Sequence, residues 1–314
     1  MPDGWLILVV LALVLAALAL AALSRAALSR AAGNGGQSRN RATLQKCKFA
    51  GGAPAARAAV AARSAWVTLV MRGDAYVPGA LALAASLRAS GTAAATVCMV
   101  TDDVSAGARA LLGRAFDRVV AVDKLTYPAC PMRTEKQNAL YGSWIADSFT
   151  KWRCLGFVEY ARVIFLDADT VLLGNCDHLF AVPAPAGIFS SPWARPYAAQ
   201  ESGGGLPNPY LLAGKHKGEH KGAALAHGAA VPDAAVARGL RGAFVAFGTT
   251  LLLAPAPGLL AEFCAYCARA VAARGCVGSP GCYSGADEQS IVGFFLARRA
   301  AGPAGAHGAA GAVG

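Results

Sequence analysis

The sequence predicts an α/β fold, a mostly parallel sheet flanked by helices, preceded by one N-terminal transmembrane helix. Short apolar runs alternate with amphipathic helical patterns between residues 65 and 169, as in chains whose parallel strands are joined by crossover helices. The runs are apolar throughout, which is typical of strands covered on both faces. Residues 5–23 form a separate run of nineteen apolar residues, close to the roughly 20 that a helix needs to cross a bilayer.

The first half of the predicted sheet consists of three strands with a helix after each of the first two. The strand AWVTLVM (65–71) precedes a helix over 78–91, which has proline near its start and glycine after its end. The strand ATVCMVTDD (95–103) precedes a helix over 105–117, which Ser105 is predicted to cap. The third strand is RVVAVD (118–123).

The second half is less regular. Helical patterns extend from about residue 135 to 160, and the strand RVIFLDAD (162–169) follows them. Residues 180–239 are rich in proline and glycine and predict loops. The cluster KHKGEHKG (215–222) carries two histidines four residues apart, but its glycines favour a solvated loop over a metal site. A further strand within 242–258 and an amphipathic helix over 259–275 complete the pattern.

The chain of 314 residues has room for one large domain or two small ones. We expect an anchor or signal at 1–23, a linker or stem at 24–63, a catalytic domain at 64–300 and a disordered tail at 301–314. A membrane anchor suits the long apolar run better than a cleaved signal peptide, whose apolar core is usually shorter.

The predicted location is a single-pass membrane protein of the Golgi or another endomembrane. A short N-terminus, one anchor and a long C-terminal domain is the layout of a Golgi type II enzyme. The arginines that follow the apolar run favour a cytoplasmic domain instead, and the sequence leaves this conflict open. Secretion is one alternative. Transport to an organelle is the other, because residues 24–73 contain arginine and serine but no acidic residue, as transit peptides do.

The net charge of +11 suits an anionic small substrate or an anionic membrane surface. Nucleic acid is not an expected partner, because no aromatic or motif support accompanies the charge. The chain has nine cysteines. Disulfides in an oxidising compartment are favoured over a zinc site, because the spacing of Cys264, Cys267, Cys276 and Cys282 matches no standard finger.

Two carboxylates close together, Asp167 and Asp169, end the fourth predicted strand. Alternate residues of a strand point the same way, and ligands of open parallel sheets bind at the carboxyl ends of strands. Two such carboxylates repel each other unless a positive group lies between them. Mg²⁺ and Mn²⁺ take oxygen ligands and commonly bridge carboxylates to substrate phosphates. The pair therefore predicts a divalent metal site, with the capping of a turn as the structural alternative.

Two enzyme classes have a strand that ends in this way. In phosphatases of the haloacid dehalogenase type, the first aspartate attacks phosphorus and the second is the acid. In nucleotide-sugar transferases, the pair holds a metal on the diphosphate. The phosphatase loop follows the first strand of its core, whereas about a hundred residues of strand and helix precede Asp167 here. The transferase interpretation is favoured.

Three segments carry a resemblance to a known family. FTKWRCLGFVEYARVIFLDADTVLLGNCDHLF (149–180) closely resembles the glycogenin-like members of glycosyltransferase family 8. Residues 66–91 resemble the nucleotide-binding strand and helix of that family, and GADEQSIVGFF (285–295) resembles a later segment. The resemblance covers about residues 65–295 except the loop-rich middle. It implies a Rossmann-like fold of the GT-A type and a UDP-sugar as the donor substrate.

The resemblance also implies roles for individual residues. Asp167 and Asp169 would bind Mn²⁺, or Mg²⁺, and with Ala168 the diphosphate of UDP. Lys151 would lie near the donor phosphates and offset the charge of the departing UDP. Asp287 and Gln289 would line the sugar and the reaction centre. The remaining nucleotide-binding residues would be Thr68, Leu69, Asp74 and Tyr76, with Tyr76 as a stacking platform.

Three departures from the family pattern are visible. Gly73 stands where the family has asparagine before DAY, and one extra residue lies nearby. The family's FNSG strand reads AFGTTLLL (246–253) here. The family often supplies a histidine near its C-terminus as a third metal ligand, and His307 is a poor substitute for it. Another group or water completes the metal shell, the gene model is truncated, or the enzyme is impaired.

The sequence therefore predicts a metal-dependent retaining glycosyltransferase of the hexosyltransferase class, EC 2.4. It would move a hexose from a UDP-sugar to a hydroxyl of a glycan, protein or lipid acceptor. The phosphatase and a non-catalytic UDP-sugar-binding relative are the alternatives.

Overall fold

In the part of the chain that the structure describes, six strands form one sheet in the order β3-β2-β1-β4-β6-β5. The computed structural model describes residues 63–190, 232–241, 246–279 and 285–302, together with Ala59 and Ala61. The strands are β1 Ser64–Val70, β2 Ala95–Val100, β3 Arg118–Ala121, β4 Arg162–Phe165, β5 Ala186–Ser190 and β6 Ala246–Leu253. Strands β1 to β4 pair in parallel, and β6 is antiparallel to both of its neighbours. The predicted α/β fold with a mostly parallel sheet is confirmed.

Six α-helices and two 3₁₀ helices accompany the sheet in the described ranges. The α-helices are α1 Val77–Ser90, α2 Ala106–Ala115, α3 Glu135–Tyr141, α4 Asp233–Arg241, α5 Leu259–Arg274 and α6 Ala286–Ala300. The 3₁₀ helices are Ser148–Gly156 and Asp177–Ala181. The predicted caps of the first two helices are confirmed: Gly91 ends α1 in the left-handed conformation, and the Ser105 side chain accepts a hydrogen bond from Ala108 N at the start of α2.

Apolar side chains cover both faces of β1, as a central parallel strand requires. Ala65, Val67 and Leu69 belong to a core cluster that includes residues of the first 3₁₀ helix, α5 and α6. Trp66 and Val70 belong to clusters that include residues of α1. The sheet therefore lies between two helical layers.

The structure differs from the sequence prediction between residues 135 and 160. The predicted helical region contains α3, a series of turns and the 3₁₀ helix Ser148–Gly156, which carries Lys151. A second difference concerns β4, which ends at Phe165. Asp167 and Asp169 therefore lie in a turn after the strand, closed by a hydrogen bond of 3.1 Å from Thr170 N to Asp167 O. Strand alternation does not determine their direction.

Several predicted features lie outside the described residues. These are the apolar run 5–23, most of the linker 24–63, the histidine cluster 215–222 and residues 303–314 of the tail, including His307. Within the described ranges, no helix is both long and apolar enough to cross a membrane.

Helix α1 lies directly against the turn that carries the aspartates. A Cβ atom added to Gly79 would be 2.7 Å from the backbone oxygen of Ala168, well inside van der Waals contact. Glycine at this position lets the first turn of α1 approach the turn 167–169. The helix thereby supports the backbone between the two predicted metal ligands.

Gly79→Ala should destabilise the fold, since its methyl group would collide with a backbone oxygen that cannot rotate away. We expect a loss of about 1–3 kcal/mol from overpacking, larger than the roughly 1 kcal/mol that alanine gains over glycine in a helix. Gly113→Ala is the matched control, because Gly113 lies in α2 with open space around it. Gly113→Ala should raise the free energy of unfolding, measured for both variants by urea unfolding. Equal effects of the two variants would contradict the close contact between Gly79 and the Ala168 oxygen.

Candidate active site

The carboxyl ends of β1, β2 and β4 lie at one edge of the sheet, because these neighbouring strands are parallel. Three connecting segments therefore meet there: 71–76, 101–105 and 166–170. Open parallel sheets bind their ligands at this edge. It holds Asp167 and Asp169, and it is where the candidate site lies.

A buried lysine joins two carboxylates at this edge. The Lys151 ammonium is 3.1 Å from Asp287 Oδ2 and 3.5 Å from Asp167 Oδ1. The Asp287 side chain is 1% exposed and the Lys151 side chain 11%, whereas that of Asp167 is 37% exposed. The Lys151 ammonium is therefore the charged partner of a carboxylate that is almost completely removed from water.

The local environment keeps Lys151 positively charged. Burial alone would lower the pKa of its ammonium, but the carboxylates of Asp287 and Asp167 outweigh that effect and raise it above its usual value. A lysine in this state donates hydrogen bonds and positive charge, and it does not serve as a base near neutral pH. Lys151 is buried, so it is not a solvated lysine on the surface of a helix.

Asp287 is anchored through its backbone as well as its side chain. It lies in the first turn of α6, and its carbonyl oxygen accepts a hydrogen bond of 3.1 Å from Trp152 Nε1. Trp152 follows Lys151 in the 3₁₀ helix Ser148–Gly156. Two consecutive residues of that helix therefore hold Asp287.

Glu288 was not among the predicted site residues, but it also interacts with this group of charges. Burial and the nearby Asp287 carboxylate raise the pKa of Glu288 to about 8, although Lys151 opposes the shift. Its Oε2 atom accepts a hydrogen bond of 3.1 Å from Gly285 N. The available signal was the position of Glu288 beside Asp287 in the segment that resembles family 8.

Gln289, which was predicted to line the reaction centre, has a contact outside this group of charges. Its Oε1 atom accepts a hydrogen bond of 2.7 Å from Ser279 N, in the segment that follows α5. The residue is buried. The structure therefore gives Gln289 a part in holding residue 279 near α6, and its catalytic role stays a prediction.

The predicted metal ligands have the right donor chemistry for a hard cation. Asp169 is exposed, so its oxygens are accessible to an ion. Asp167 is partly exposed beside Lys151. Across the described part of the chain, no three acidic, histidine or cysteine side chains form a group that could hold a metal. Mg²⁺ commonly binds through one or two carboxylates plus substrate phosphates and water, so the pair fits such an ion.

Hydrogen bonds fix the segment after β1 to the segment after β2. Asp74 Oδ1 accepts a hydrogen bond of 2.9 Å from Ser105 N, and the bonds from Ser105 hold the pKa of Asp74 below its usual value. Arg72, at φ 63°, donates its backbone N–H to Asp103 Oδ1 at 3.2 Å. Burial opposes ionisation of Asp103, but bonds from Lys124 and Thr101 lower its pKa to about 2.

The other predicted nucleotide-binding residues differ in accessibility. Tyr76 is 51% exposed at the start of α1, where a stacking ligand could reach it. Thr68 and Leu69 are buried, and Leu69 belongs to the core. Ala168 is buried beneath the N-terminal turn of α1. Contacts of Thr68 and Leu69 with a nucleotide remain predictions, and their side chains have little exposed surface to make them.

Glu288→Gln should change how the stability of the metal-free protein depends on pH. The native state holds a proton on Glu288 that the unfolded state has lost between pH 4.5 and about 8, so this residue makes stability fall as pH rises through that interval. Glutamine removes that contribution. Urea unfolding at several pH values should show the variant gaining relative to the wild type toward pH 8. Glu135→Gln, the same change at an exposed position, is the control. Parallel curves for all three proteins would contradict the raised pKa of Glu288.

Thr68→Val should leave stability unchanged or raise it, because the Thr68 hydroxyl is buried without a hydrogen-bond partner in the described structure. Thr96→Val is the matched control. The Thr96 hydroxyl is 2.9 Å from Asp117 Oδ2 and accepts from Asp117 N at 3.0 Å. Its loss should cost about 1–3 kcal/mol in urea unfolding. A marked loss of UDP affinity in Thr68→Val alone would instead place its hydroxyl in the nucleotide site.

Comparison with known proteins identifies relatives of this chain. No protein-family model matches the chain. It is 36% identical over 119 residues to glycogenin-1 of Caenorhabditis elegans, which is 38% of this chain and 27% of that protein. It is 36% identical over 116 residues to human glycogenin-1, 37% of this chain and 32% of that protein.

A third relative is the UDP-glucuronate:xylan alpha-glucuronosyltransferase 1 of Arabidopsis thaliana, 32% identical over 121 residues, 38% of this chain and 17% of that protein. The matched stretch covers less than half the length of each of these relatives. Over that stretch, the comparisons confirm the resemblance to the glycogenin-like members of glycosyltransferase family 8.

Proposed function

We propose that the chain is a metal-dependent retaining glycosyltransferase of the hexosyltransferase class, EC 2.4. It moves a hexose from a UDP-sugar to a hydroxyl of an acceptor. The observation that carries this proposal is the buried Lys151, held between Asp167 and Asp287 at the carboxyl edge of the parallel strands. A fixed positive charge beside a candidate metal site is suited to stabilising a departing diphosphate.

Lys151 has an electrostatic role in this proposal. Its raised pKa keeps the ammonium charged, and its rigid placement means that little reorganisation is needed when negative charge develops on UDP. The Asp287 carboxylate orients it from the buried side, and the more exposed Asp167 lies on the side open to a ligand.

Asp167 and Asp169 would hold Mn²⁺ or Mg²⁺, which would supply positive charge against the diphosphate. The exposed carboxylate of Asp169 supports this assignment. The segment 71–76, fixed to its neighbour through Asp74 and Arg72, would bind the uridine, with the exposed Tyr76 as the stacking surface.

Asp287 and Glu288 would act on the reacting sugar from the buried side of the site, behind Lys151. A carboxylate there favours the positive charge that develops at the anomeric carbon as the glycosidic bond breaks. The acceptor hydroxyl would attack from the face that UDP leaves, which retains the anomeric configuration. Glu288 follows Asp287 in α6 and is half-buried, and its raised pKa limits the negative charge next to the sugar.

The relatives support a transferase over the alternative phosphatase. They include glycogenin and a protein named for glucuronate transfer from UDP-glucuronate to xylan. For this chain, a UDP-sugar donor and a glycan acceptor are the corresponding proposal, with protein or lipid acceptors as the other classes. The aspartate pair also follows the fourth strand along the chain, whereas the phosphatase loop follows the first.

The proposed location is a membrane of the Golgi or another endomembrane, with residues 5–23 as the anchor and the catalytic domain in the lumen. The apolar run supports the anchor. A disulfide between Cys130 and Cys276 supports the luminal side, since such bonds persist in oxidising compartments. Secretion and transport to an organelle remain the alternatives.

Asp169→Asn should abolish metal-dependent release of UDP while the protein stays folded. The purified full chain is assayed with a panel of UDP-sugars, once with Mn²⁺ and once with a chelator. We expect the variant to lose activity about 100-fold or more, since changes even in the shell around a metal cost about 10–100-fold. Asp102→Asn, the same change at an exposed position on the same edge, is the control.

The outcomes separate the alternatives. Metal-dependent release from one donor, lost in Asp169→Asn and kept in Asp102→Asn, establishes the transferase and identifies its sugar. Binding of UDP without turnover identifies a non-catalytic relative. Phosphate release that needs metal but no UDP-sugar identifies the phosphatase.

A further inference from the structure

A disulfide joins two segments that are far apart in the sequence. Cys130 lies between β3 and α3, and Cys276 follows α5, 146 residues later. The two segments also form an isolated parallel bridge between Ala129 and Val277. Cys130 N donates to Val277 O at 2.9 Å, and Val277 N donates to Pro128 O at 2.8 Å. The covalent bond therefore closes a contact that the backbone already makes.

The segment that follows Cys276 packs against the start of α6. Gly278 has φ 93°, and a Cβ atom there would be 2.9 Å from Ala286 Cβ, so the two backbones are in direct contact. Ser279 N donates to Gln289 Oε1 at 2.7 Å. Residues 278 and 279 thus lie against the first turn of α6, which presents Asp287 to Lys151.

The segment that contains Cys130 contacts the 3₁₀ helix that carries Lys151, the other residue of the ion pair. Leu125 N donates to the Thr150 hydroxyl at 3.0 Å, next to Lys151. Tyr127 N donates to Ala146 O at 3.1 Å, and the Tyr127 ring meets the Phe149 ring edge-on, with centroids 5.3 Å apart. The segment 125–130 is thereby attached to the 3₁₀ helix Ser148–Gly156.

We propose that Cys130 and Cys276 are positioning residues of the active site. Their disulfide braces the two segments that carry Lys151 and Asp287, so the catalytic geometry depends on the oxidised state of this pair. The inference rests on the proposed transferase function for its effect on turnover, but the brace itself is a structural statement that can be tested separately.

The chemistry of the brace is thiol–disulfide exchange. Forming the bond removes two protons and two electrons from the two thiols, which a disulfide donor accepts. Reducing it with dithiothreitol returns two thiols and leaves the reagent as a cyclic disulfide. In the described part of the chain, the other cysteines are free thiols: Cys98, Cys154, Cys176, Cys264 and Cys267.

The test compares oxidised, reduced and reoxidised wild-type protein under native conditions. Peptide mapping first identifies the cysteine joined to Cys130. Hydrogen exchange is then followed at the start of α6 and in 148–156, together with the kinetics of UDP release. We expect reduction to accelerate hydrogen exchange at these two places. It should also lower kcat about tenfold or more, because the charged groups lose their alignment. Reoxidation should restore both the exchange rates and kcat.

The variants Cys130→Ser/Cys276→Ser and Cys176→Ser provide the comparison. The double variant should behave like the reduced wild type and be insensitive to dithiothreitol, whereas Cys176→Ser, which removes a free thiol, should respond like the wild type. Should the double variant fail to fold, reduction of the wild type carries the test alone. A general loss of structure is recognised by equally accelerated exchange in β1 and β2.

Three outcomes would overturn the brace: pairing of Cys130 with a cysteine other than Cys276, unchanged exchange at the start of α6 after complete reduction, or unchanged kcat in an active enzyme. If the oxidised wild type releases no UDP from any donor, the proposed function fails. The exchange measurement still decides whether the disulfide holds Asp287 and Lys151 together.

Discussion

The ion pair between Lys151 and Asp287 is the interaction on which the rest of the site depends. A buried charge is costly unless an opposite charge meets it, and Asp287 is almost fully enclosed. Removing either residue would leave the other as an uncompensated buried charge, which typically lowers the folding stability by about 3–5 kcal/mol. The pair therefore requires α6 and the 3₁₀ helix Ser148–Gly156 to stay in contact, and the bond from Trp152 to Asp287 O enforces the same arrangement.

Around this pair, the parallel strands determine what can reach the site. Their carboxyl ends face one edge, so the turn 167–169 and the segment 71–76 lie beside each other. Gly79 brings α1 against Ala168, and Asp74 ties its segment to Ser105. Asp169 is exposed beside this fixed framework, which suits its proposed role as a metal ligand.

Candidate-site residues were predictable where a local pattern or a family motif marked them. Asp167 and Asp169 follow an apolar run, and Lys151 stands in the segment that resembles family 8. Glu288 was missed because Asp287, Glu288 and Gln289 are consecutive residues of α6. Each is rotated by about 100° from the last on a helix of 3.6 residues per turn, and no local pattern shows which of them faces the charges.

The order of strands and helices from β1 to β3 and the two aspartates after β4 were predictable from local patterns, because apolar periodicity and turn residues act over a few neighbouring positions. Three contacts became visible in the folded chain alone: Lys151 with Asp287, Gln289 with residue 279, and Cys130 with a cysteine 146 residues away. Contacts of this kind depend on how the helices pack on the sheet, and the spacing of residues along the chain does not reveal that packing.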